Sequence, residues 1–535
     1  PGRRRRGMCL VIDRRGFLRL AGAGLAGSVV AGCTKGRPAA KGARSLAPSL
    51  PAPSSPSPSP APPTGPPPWA SLRLDGELLR PGGRGYDAGR LIFSPRYDAV
   101  HPAAVARCAT AADVQRCVAF AARYRVPLSV RAGGHSYAGW STGRGLVIDT
   151  SPLAGVTVSG SQATVGAGAQ LIDVYDRLAA SGLAVPAGSC ATVGLAGLAL
   201  GGGIGVLDRA WGLTCDSVTA LQIVTADGRL RTCDADHDPD LFWASRGGGG
   251  GSFGVVTSFT LRARPVPSVT VAFLSWDWSE AARVLAAWQA LAPVAPDAVW
   301  SNCHLAARPG SSTPKVSVGV AALDAGLQRD FVAALIARVG AAPASNFAET
   351  LSYRRAMLLE AGCAERSVPQ CHVAGRTPQG QLDRPPYAAK SDFVGRPMNS
   401  AGIAAMLGGI EARQAMHGVQ EGSVALDAFG GAISRVGVSD TAFAHRAALC
   451  SVQYIAGWAA GSSVSTVDAN LTWLRDFHTR MRPYVTGGAY LNYADPDLAA
   501  YPQAYWGANY PRLQQIKTTY DPGQLFTFAQ AVRPA

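Results

Sequence analysis

The chain has 535 residues, 47% hydrophobic and 16% charged, with a formal net charge of +15 and 62 glycines. That length exceeds what one hydrophobic core usually serves, so we expect about two to four domains. Residues 1–45 hold eleven basic side chains and one acidic one, so ten of the fifteen net charges lie there. The bulk of the chain therefore lacks the basic excess of a nucleic-acid-binding protein, and we expect no nucleic-acid partner.

Residues 1–33 resemble an export signal. Paired arginines at Arg14 and Arg15 precede thirteen uncharged residues at 20–32, and Val-Ala-Gly then leads to Cys33. Thirteen residues rise only about 20 Å as a helix, which is too short to span a bilayer. The pattern resembles a twin-arginine signal with a lipoprotein processing box, in which Cys33 is lipidated; the alternative is a plain signal peptide cut elsewhere. We expect a cell-envelope protein, lipid-anchored on the outer face of the cytoplasmic membrane, or secreted.

Residues 34–68 are predicted to be a linker. Twelve prolines lie between Pro38 and Pro68, among serines and alanines. Such a stretch buries little apolar surface and favours an extended, semi-rigid spacer. We therefore expect the folded body to begin at residue 69. Twin-arginine export carries proteins that are already folded, which is a first indication of a cofactor.

Past residue 85 the chain alternates helix and strand patterns, which predicts an α+β fold. Apolar residues recur at helical spacing behind a Thr110/Asp113 capping pair, and again before Gly182. An Asp-Gly pair at 227–228 predicts a hairpin turn. The predicted helices are 110–124 and 171–178, and the predicted strands are 127–130, 146–148 and 163–165.

The chain changes character near residue 266, where the glycine clusters end. Residues 266–483 mix short strands with helical stretches at 281–291, 328–339 and 466–481, which predicts a second domain. Residues 484–535 regain aromatic and glycine residues. We therefore expect the chain to return there to the first domain, at 69–265.

Glycine is concentrated in four clusters, at 133–134, 166–168, 194–205 and 247–254. Glycine lets the backbone approach a bulky ligand closely and leaves amides available to bind phosphate. Turns and helix ends are the alternative, but four clusters within 122 residues disfavour it. The clusters do not fit the spacing of a P-loop, and no dinucleotide fingerprint follows a first strand, so a Rossmann fold is not predicted.

Two side chains with nucleophilic groups lie in or beside these clusters. His135 stands in Arg-Ala-Gly-Gly-His-Ser-Tyr at 131–137, and Cys190 in Gly-Ser-Cys-Ala-Thr-Val-Gly at 188–194. Alone, each has an ordinary interpretation, as a hydrogen-bonded loop histidine and a buried small cysteine. Further motifs follow in order at 201–205, 240–249, 253–257, 490–493, 505–509, 512–513, 517 and 520–522. Together they resemble the berberine-bridge-enzyme-like flavoproteins over roughly residues 85–535.

The resemblance implies the vanillyl-alcohol-oxidase type of FAD-binding fold, in two lobes, with an α+β substrate domain built on an antiparallel sheet. It implies FAD bound covalently by His135 at the 8α-methyl and by the sulfur of Cys190 at C6. Ala191 stands where the family usually has proline, so a single bond from His135 is the alternative. A tethered flavin cannot dissociate and is a stronger hydride acceptor.

The resemblance also assigns residues around the cofactor. Backbone amides would surround the pyrophosphate, and small side chains would lie along the ring and ribose. The first group is Arg131, Gly133, Gly134, Ser136 and Gly139, and the second is Val193, Gly194, Gly197, Gly202, Gly205 and Val256, with Asn492 also on the flavin side.

Catalysis needs a base that takes the hydroxyl proton of the substrate as hydride leaves for flavin N5. In residues 490–493, strand alternation would place Tyr490 and Asn492 on one face and Tyr493 on the other. Either tyrosine is a candidate base, and a packed aromatic is the alternative. Asp427 and Phe429 would share a face of a strand in the second domain, where Asp427 would bind a sugar hydroxyl, assist the base, or be a surface carboxylate.

These features predict an exported FAD-dependent oxidase that converts the anomeric hydroxyl of a sugar or oligosaccharide to a lactone and reduces oxygen to peroxide. The small Val193, three residues after Cys190, is similar to the oxygen gate of oxidases in the family. The alternatives are a secondary-metabolite or alkaloid-like substrate, a dehydrogenase that does not use oxygen, and a surface-tethered binding protein with a decayed flavin site.

The remaining cysteines and histidines have other expected roles. No Cys-x-x-Cys or His-x-x-x-His spacing indicates a metal site, and we expect none. In an exported protein Cys363 and Cys371 are placed to form a disulfide across a short loop, and His445 is expected to be structural. We expect a monomer whose partners are a small-molecule substrate and oxygen, and which meets the membrane only through Cys33.

Overall fold

The computed structural model describes residues 65–308, 310–416, 420 and 422–535. The predicted signal at 1–33, with Cys33, and the predicted linker up to residue 64 lie outside the described residues. Within the described part, no helix combines the length and apolar character that crossing a bilayer requires.

The first part of the chain builds two sheets and a short strand pair. One sheet has the order β1-β2-β4-β3, in which β2, β4 and β3 are parallel and β1 is antiparallel. The other is antiparallel, in the order β5-β6-β10-β8-β9, and β7 pairs with β11. The strands are β1 Glu77–Leu79, β2 Ala104–Arg107, β3 Leu128–Arg131, β4 Leu146–Asp149, β5 Val156–Ser159, β6 Gln162–Gly166, β7 Leu183–Ala184, β8 Val218–Val224, β9 Leu230–Cys233, β10 Val255–Arg262 and β11 Arg264–Pro265.

The middle of the chain forms one antiparallel sheet of seven strands, in the order β15-β12-β14-β13-β17-β18-β16. Long helices cover one face of it and enclose a separate hydrophobic core. Trp300 of β13 packs from this sheet into the core of the first part, so the uncovered face of the sheet meets that part. The strands are β12 Ser268–Trp276, β13 Val299–Ala307, β14 Lys315–Ala322, β15 Ser345–Ser352, β16 Tyr387–Val394, β17 Gly422–Ala428 and β18 Cys450–Gly457.

Several of the longer helices begin at a residue whose side chain caps the first turn. The Thr110 hydroxyl accepts the Asp113 amide at 3.1 Å, and the Asp113 carboxylate accepts the Thr110 amide in return, which satisfies two amides that a helix start leaves unpaired. The described helices are Tyr86–Gly89, Ala111–Tyr124, Leu171–Ala179, Leu195–Leu200, Asp208–Trp211, Pro239–Ala244, Ala281–Leu291, Ala325–Val339, Tyr353–Glu360, Ser400–Gln414, Ala432–Arg435, Val464–Met481, Tyr501–Trp506 and Tyr510–Tyr520. The structure confirms the α+β class, the hairpin at 227–228, the helices predicted at 110–124, 171–178, 281–291, 328–339 and 466–481, and the strands predicted at 127–130, 146–148 and 163–165.

Two local predictions were wrong. The segment 490–493 is not a strand, because Leu491–Tyr493 forms a 3-10 turn; the alternation of faces expected there does not apply. Strand β17 ends at Ala428, since Gly430 and Gly431 take positive φ angles that terminate it. Phe429 therefore does not share a strand face with Asp427, and packs against Phe393 instead.

The C-terminal segment rejoins the first part. Trp506 and Leu513 belong to the same hydrophobic core as the five-stranded sheet. The buried Lys517 ammonium pairs with Asp521 at 2.6 Å and donates to the main-chain oxygen of Ser252. This segment therefore packs beside the glycine-rich residues of the first part.

Arg209 joins the first part to the middle of the chain. Arg209 is 1% exposed, and its guanidinium donates to the main-chain oxygens of Val299, Pro293, Ala295 and Phe429. Four buried carbonyls thus depend on one side chain. The two parts are consequently held together by the hydrogen bonds of Arg209 as well as by apolar packing.

We predict that Arg209→Met lowers the free energy of unfolding by at least about 3 kcal/mol, because it leaves several buried carbonyls without donors. Arg229→Met, at a side chain that is 77% exposed, should change it by no more than about 0.5 kcal/mol. Chemical denaturation of both variants measures the difference. Equal stabilities would show that Arg209 does not carry this interface.

Candidate active site

A cavity of about 290 Å³ lies between the glycine-rich loops of the first part and the seven-stranded sheet. It collects most of the residues singled out in the sequence, although they come from distant parts of the chain. Those that line it are Gly133, Gly134, His135, Ser136, Cys190, Val193, Gly194, Gly197, Gly205, Val256, Asp427, Tyr490, Asn492 and Tyr493. Residues 248–251, from the last glycine cluster, also line it.

Three residues expected around the cofactor are not among those that line the cavity: Arg131, Gly139 and Gly202. Arg131 is buried, and its guanidinium forms a salt bridge with the Asp149 carboxylate at 2.8 Å. Gly139 and Gly202 have φ angles of 78° and 113°, which glycine adopts without strain.

The two loops that carry His135 and Cys190 meet backbone to backbone. A Cβ atom on Gly133 would lie 2.3 Å from the Gly194 nitrogen and 2.8 Å from the Thr192 oxygen. A Cβ atom on Gly194 would lie 2.3 Å from the Gly133 nitrogen. Any side chain at either position would separate the loops, so this approach requires glycine on both sides.

His135 is held on two sides. Its Nε2 lies 2.9 Å from the Thr192 hydroxyl, and its ring stacks on Phe93 with centroids 3.9 Å apart. Burial and the nearby Arg376 guanidinium lower the pKa of His135 to about 3. The imidazole is therefore neutral at ordinary pH and has a nucleophilic lone pair.

Cys190 lines the same cavity as His135. Burial raises the pKa of its thiol to about 11, so the group is a thiol near neutral pH in the protein without a ligand. A thiolate is the stronger nucleophile. The neutral imidazole of His135 is thus the better prepared of the two groups for bond formation.

The Tyr490 hydroxyl oxygen accepts three N–H donors. These are the amides of Gly203 and Ile204, at 3.0 and 3.1 Å, and the side chain of Asn492 at 2.8 Å. Burial raises the pKa of Tyr490 to about 12, and these donors oppose the rise. The oxygen is fully engaged with the protein, which makes Tyr490 an anchor for the segment that carries Asn492 and Tyr493.

Tyr493 and Asp427 differ in how readily they exchange a proton. The Tyr493 ring lies edge-on to Tyr490 at 4.7 Å, and burial raises its pKa far above the usual value. Burial raises the pKa of Asp427 to about 6, opposed by a hydrogen bond at 3.4 Å from the Ser451 hydroxyl. Efficient proton acceptors have a pKa near the working pH, so Asp427 is the group best matched to accept a proton.

Four side chains with hydrogen-bonding groups line the cavity from the seven-stranded sheet and were not predicted from the sequence: Trp300, Asn302, His304 and Gln453. Asn302 pairs with Asp427 across β13 and β17, and Ala425 pairs with both His304 and Gln453. We call these four residues with Asp427 the polar wall. The available signal was the alternation of aromatic and polar residues at 300, 302 and 304 within an otherwise small or apolar strand.

The lining residues fit a flavin nucleotide. Glycine-rich loops form one side of the cavity, and a Cβ atom at several of these glycines would meet backbone atoms. Two groups able to bond to the flavin, His135 and Cys190, line the same cavity. When bound there, FAD would supply a two-electron acceptor, which the side chains themselves lack. In the described part of the chain, no cluster of three or more His, Cys, Asp or Glu side chains is arranged to hold a metal ion.

Comparison with known proteins agrees with this site. The profile of the family described as FAD binding domain matches residues 102–234, and that of Berberine and berberine like matches residues 489–533. The FAD-linked oxidoreductase YgaK of Bacillus subtilis (strain 168), itself uncharacterized, is 34% identical over 445 residues, which cover 81% of this chain and 92% of YgaK. The chain belongs to the berberine-bridge-enzyme-like family of FAD-linked oxidoreductases.

Other members support the assignment. Berberine bridge enzyme-like 1 of Arabidopsis thaliana is 32% identical over 444 residues, covering 76% of this chain and 79% of that protein. The solved structure of Physcomitrella patens BBE-like 1 matches with a TM-score of 0.77 at 28% identity, covering 86% of this chain and 97% of that one. The protein is an FAD-dependent oxidoreductase with the vanillyl-alcohol-oxidase type of fold, as the motifs predicted. A chitooligosaccharide oxidase, at 24% identity and a TM-score of 0.74, shares the fold.

The loop contact gives a prediction. Gly133→Ala should lower the free energy of unfolding by about 1–3 kcal/mol, because the new methyl group overlaps the Gly194 nitrogen and the Thr192 oxygen. It should also lower the FAD content of the purified protein, since the loops separate. Gly155→Ala, where a Cβ atom meets nothing within 4 Å, is the matched control. Chemical denaturation and flavin absorbance measure both effects, and a wild-type FAD content in Gly133→Ala would contradict the account.

Proposed function

We propose that this member of the family is an oxidase of hydroxyl-rich substrates, converting the anomeric hydroxyl of a sugar or oligosaccharide to a lactone and reducing oxygen to hydrogen peroxide. The observation that carries the proposal is the polar wall, which lines the same cavity as His135 and Cys190. The small Val193 in that cavity leaves room for oxygen.

The polar wall offers hydrogen-bonding groups that the protein does not use. Trp300 and His304 are 4% and 7% exposed, yet the Trp300 Nε1 and His304 Nδ1 atoms have no hydrogen-bond partner within the described chain. A buried polar group without a partner costs about 1–3 kcal/mol, which a bound hydroxyl would recover. The Asn302 side-chain oxygen accepts the Gly319 amide at 3.1 Å, so its NH₂ group remains as a donor.

The charge of the cavity disfavours an anionic substrate. Among the described residues that line it, Asp427 is the one carboxylate and there is no Lys or Arg. An anionic substrate would therefore lack a counter-ion. Burial lowers the pKa of His304 to about 4, so this imidazole is neutral and both donates and accepts, as a sugar hydroxyl requires.

The side chains of the cavity have different roles in the proposed reaction. FAD, when bound, supplies the hydride acceptor. Asp427 accepts the proton of the reacting hydroxyl, Tyr490 and Asn492 hold the segment that carries Tyr493, and the remaining wall residues orient the other hydroxyls. Orientation of this kind is worth several kcal/mol in an enzyme reaction.

We also propose that the protein is exported, acts as a monomer and is anchored through Cys33. The support is the sequence at 14–33, with its arginine pair, short uncharged stretch and Val-Ala-Gly-Cys ending. Cys33→Ser should move the protein from the membrane fraction to the soluble exported fraction, because the residue that receives the lipid is gone. Immunoblotting of the fractions measures this, and an unchanged distribution would argue for a plain signal peptide.

The activity is tested by an anaerobic substrate screen. The purified protein is mixed with mono- and oligosaccharides, an alkaloid-like amine and a simple alcohol, and flavin bleaching is followed, with peroxide measured after air is admitted. The proposal expects rapid bleaching by a sugar and one peroxide per turnover. Bleaching by the amine alone would favour the secondary-metabolite alternative, bleaching without peroxide a dehydrogenase, and a colourless protein a binding protein.

The pKa of Asp427 gives a pH prediction. Because burial raises this pKa to about 6, the carboxyl is protonated below pH 6 and cannot accept a proton there. The kcat/KM should therefore fall about tenfold per pH unit below pH 6 and level off above it. Asp427→Asn should lower kcat/KM at pH 8 by about 10²–10⁴-fold and remove this limb, whereas Asp427→Glu should keep the limb. A wild-type pH profile in Asp427→Asn would assign the base elsewhere.

A further inference from the structure

The two cavity loops are joined by one side-chain hydrogen bond. His135 Nε2 lies 2.9 Å from the hydroxyl oxygen of Thr192. Thr192 is 3% exposed, and it stands two residues after Cys190 in the chain. The contact therefore connects the residue proposed to bond the 8α-methyl with the loop that carries the second proposed tether.

We propose that Thr192 positions His135 for its covalent bond to the flavin. The proposal rests on the covalent cofactor expected from the sequence. The Thr192 hydroxyl holds Nε2 and sets the direction of the ring, so that Nδ1 is the ring nitrogen left for the new bond. Thr192 is a positioning residue, since it acts through the imidazole and not on the flavin.

The surroundings leave the imidazole few other orientations. Phe93 covers one face of the ring at 3.9 Å between centroids and is tilted from it by only 17°. The Phe93 amide in turn donates to the Gly134 oxygen at 3.0 Å, which ties the stacking partner to the residue before His135. Stacking fixes the plane of the ring but still permits a 180° rotation about the Cβ–Cγ bond, which changes the direction in which each nitrogen points. The contact with the Thr192 hydroxyl places Nε2 on the side of the Cys190 loop.

The covalent step balances with oxygen as the oxidant. One C–H bond of the 8α-methyl breaks, and a bond forms between that carbon and a nitrogen of His135. The methyl hydrogen and the imidazole N–H proton are both transferred to the flavin, which is reduced by two electrons. Oxygen then reoxidises the flavin and is released as hydrogen peroxide. A neutral imidazole is required, and the Arg376 charge beside His135 favours that form.

The test uses the Cys190→Ala protein as the parent, so that His135 is the remaining tether. Thr192→Val removes the hydroxyl and keeps the shape of the side chain, Thr192→Ala removes it and leaves space, and Thr192→Ser keeps it. Two quantities are measured: FAD bound in the native protein, from its absorbance, and FAD that stays in the pellet after acid precipitation. Acid unfolds the protein, so pellet-bound flavin is covalent.

We expect Thr192→Val and Thr192→Ala to lower the pellet-bound fraction at least fivefold, with total bound FAD within twofold of the parent, and Thr192→Ser to resemble the parent. If the pellet-bound fraction is unchanged in either the valine or the alanine variant, the inference about Thr192 is overturned, while the bond from His135 to the flavin still stands. A loss that the serine variant shares equally would overturn it too. A parent that binds FAD but leaves none in the pellet would refute both the bond to His135 and this role of Thr192, while leaving the oxidase activity to its own test.

Discussion

The site depends on a contact between two backbones. Gly133 and Gly194 approach so closely that a Cβ atom on either would lie 2.3 Å from the nitrogen of the other. This approach brings His135 and Cys190, which are 55 residues apart in the chain, to one cavity. A flavin bonded to both residues, as the sequence predicts, would need the two loops at a fixed separation, and the glycines set that separation.

The opposite side of the cavity is formed by regular secondary structure. The polar wall lies on adjacent strands of the seven-stranded sheet, whose register fixes Asn302 beside Asp427. The C-terminal segment is held against the same sheet, because the Tyr490 amide donates to the Ser391 hydroxyl at 2.8 Å and the buried Lys390 pairs with Asp495. Loops thus form the side proposed for the cofactor, and regular structure forms the side proposed for the substrate.

Much of this arrangement was predictable from the sequence. Helical spacing and caps identified the main helices, and motif order identified the flavoprotein family and most of the residues that line the cavity. The errors were local. The strand predicted at 490–493 is a 3-10 turn, because Tyr490 is fixed by tertiary hydrogen bonds that a period-two pattern does not contain. Phe429 does not share a strand with Asp427, because Gly430 and Gly431 end β17 at Ala428.

The polar wall shows where sequence reasoning reached its limit. His304 and Gln453 resemble ordinary polar residues of strands, and only the pairing of β13, β17 and β18 reveals that they share a cavity with Asp427. Strand order is set by long-range contacts, which a single sequence does not display. The missing hydrogen-bond partners of Trp300 and His304 are likewise a property of the folded environment, as is the raised pKa of Asp427.

The central proposal is that one cavity holds FAD between the two glycine loops, bonded to both His135 and Cys190. Peptide mass spectrometry of the purified, air-oxidised protein tests it most directly. The account predicts that the peptides containing His135 and Cys190 are recovered together, cross-linked through one flavin. Recovery of both peptides unmodified from a flavin-containing protein would contradict the tethered site, and a single modified peptide carrying His135 would reduce it to one bond.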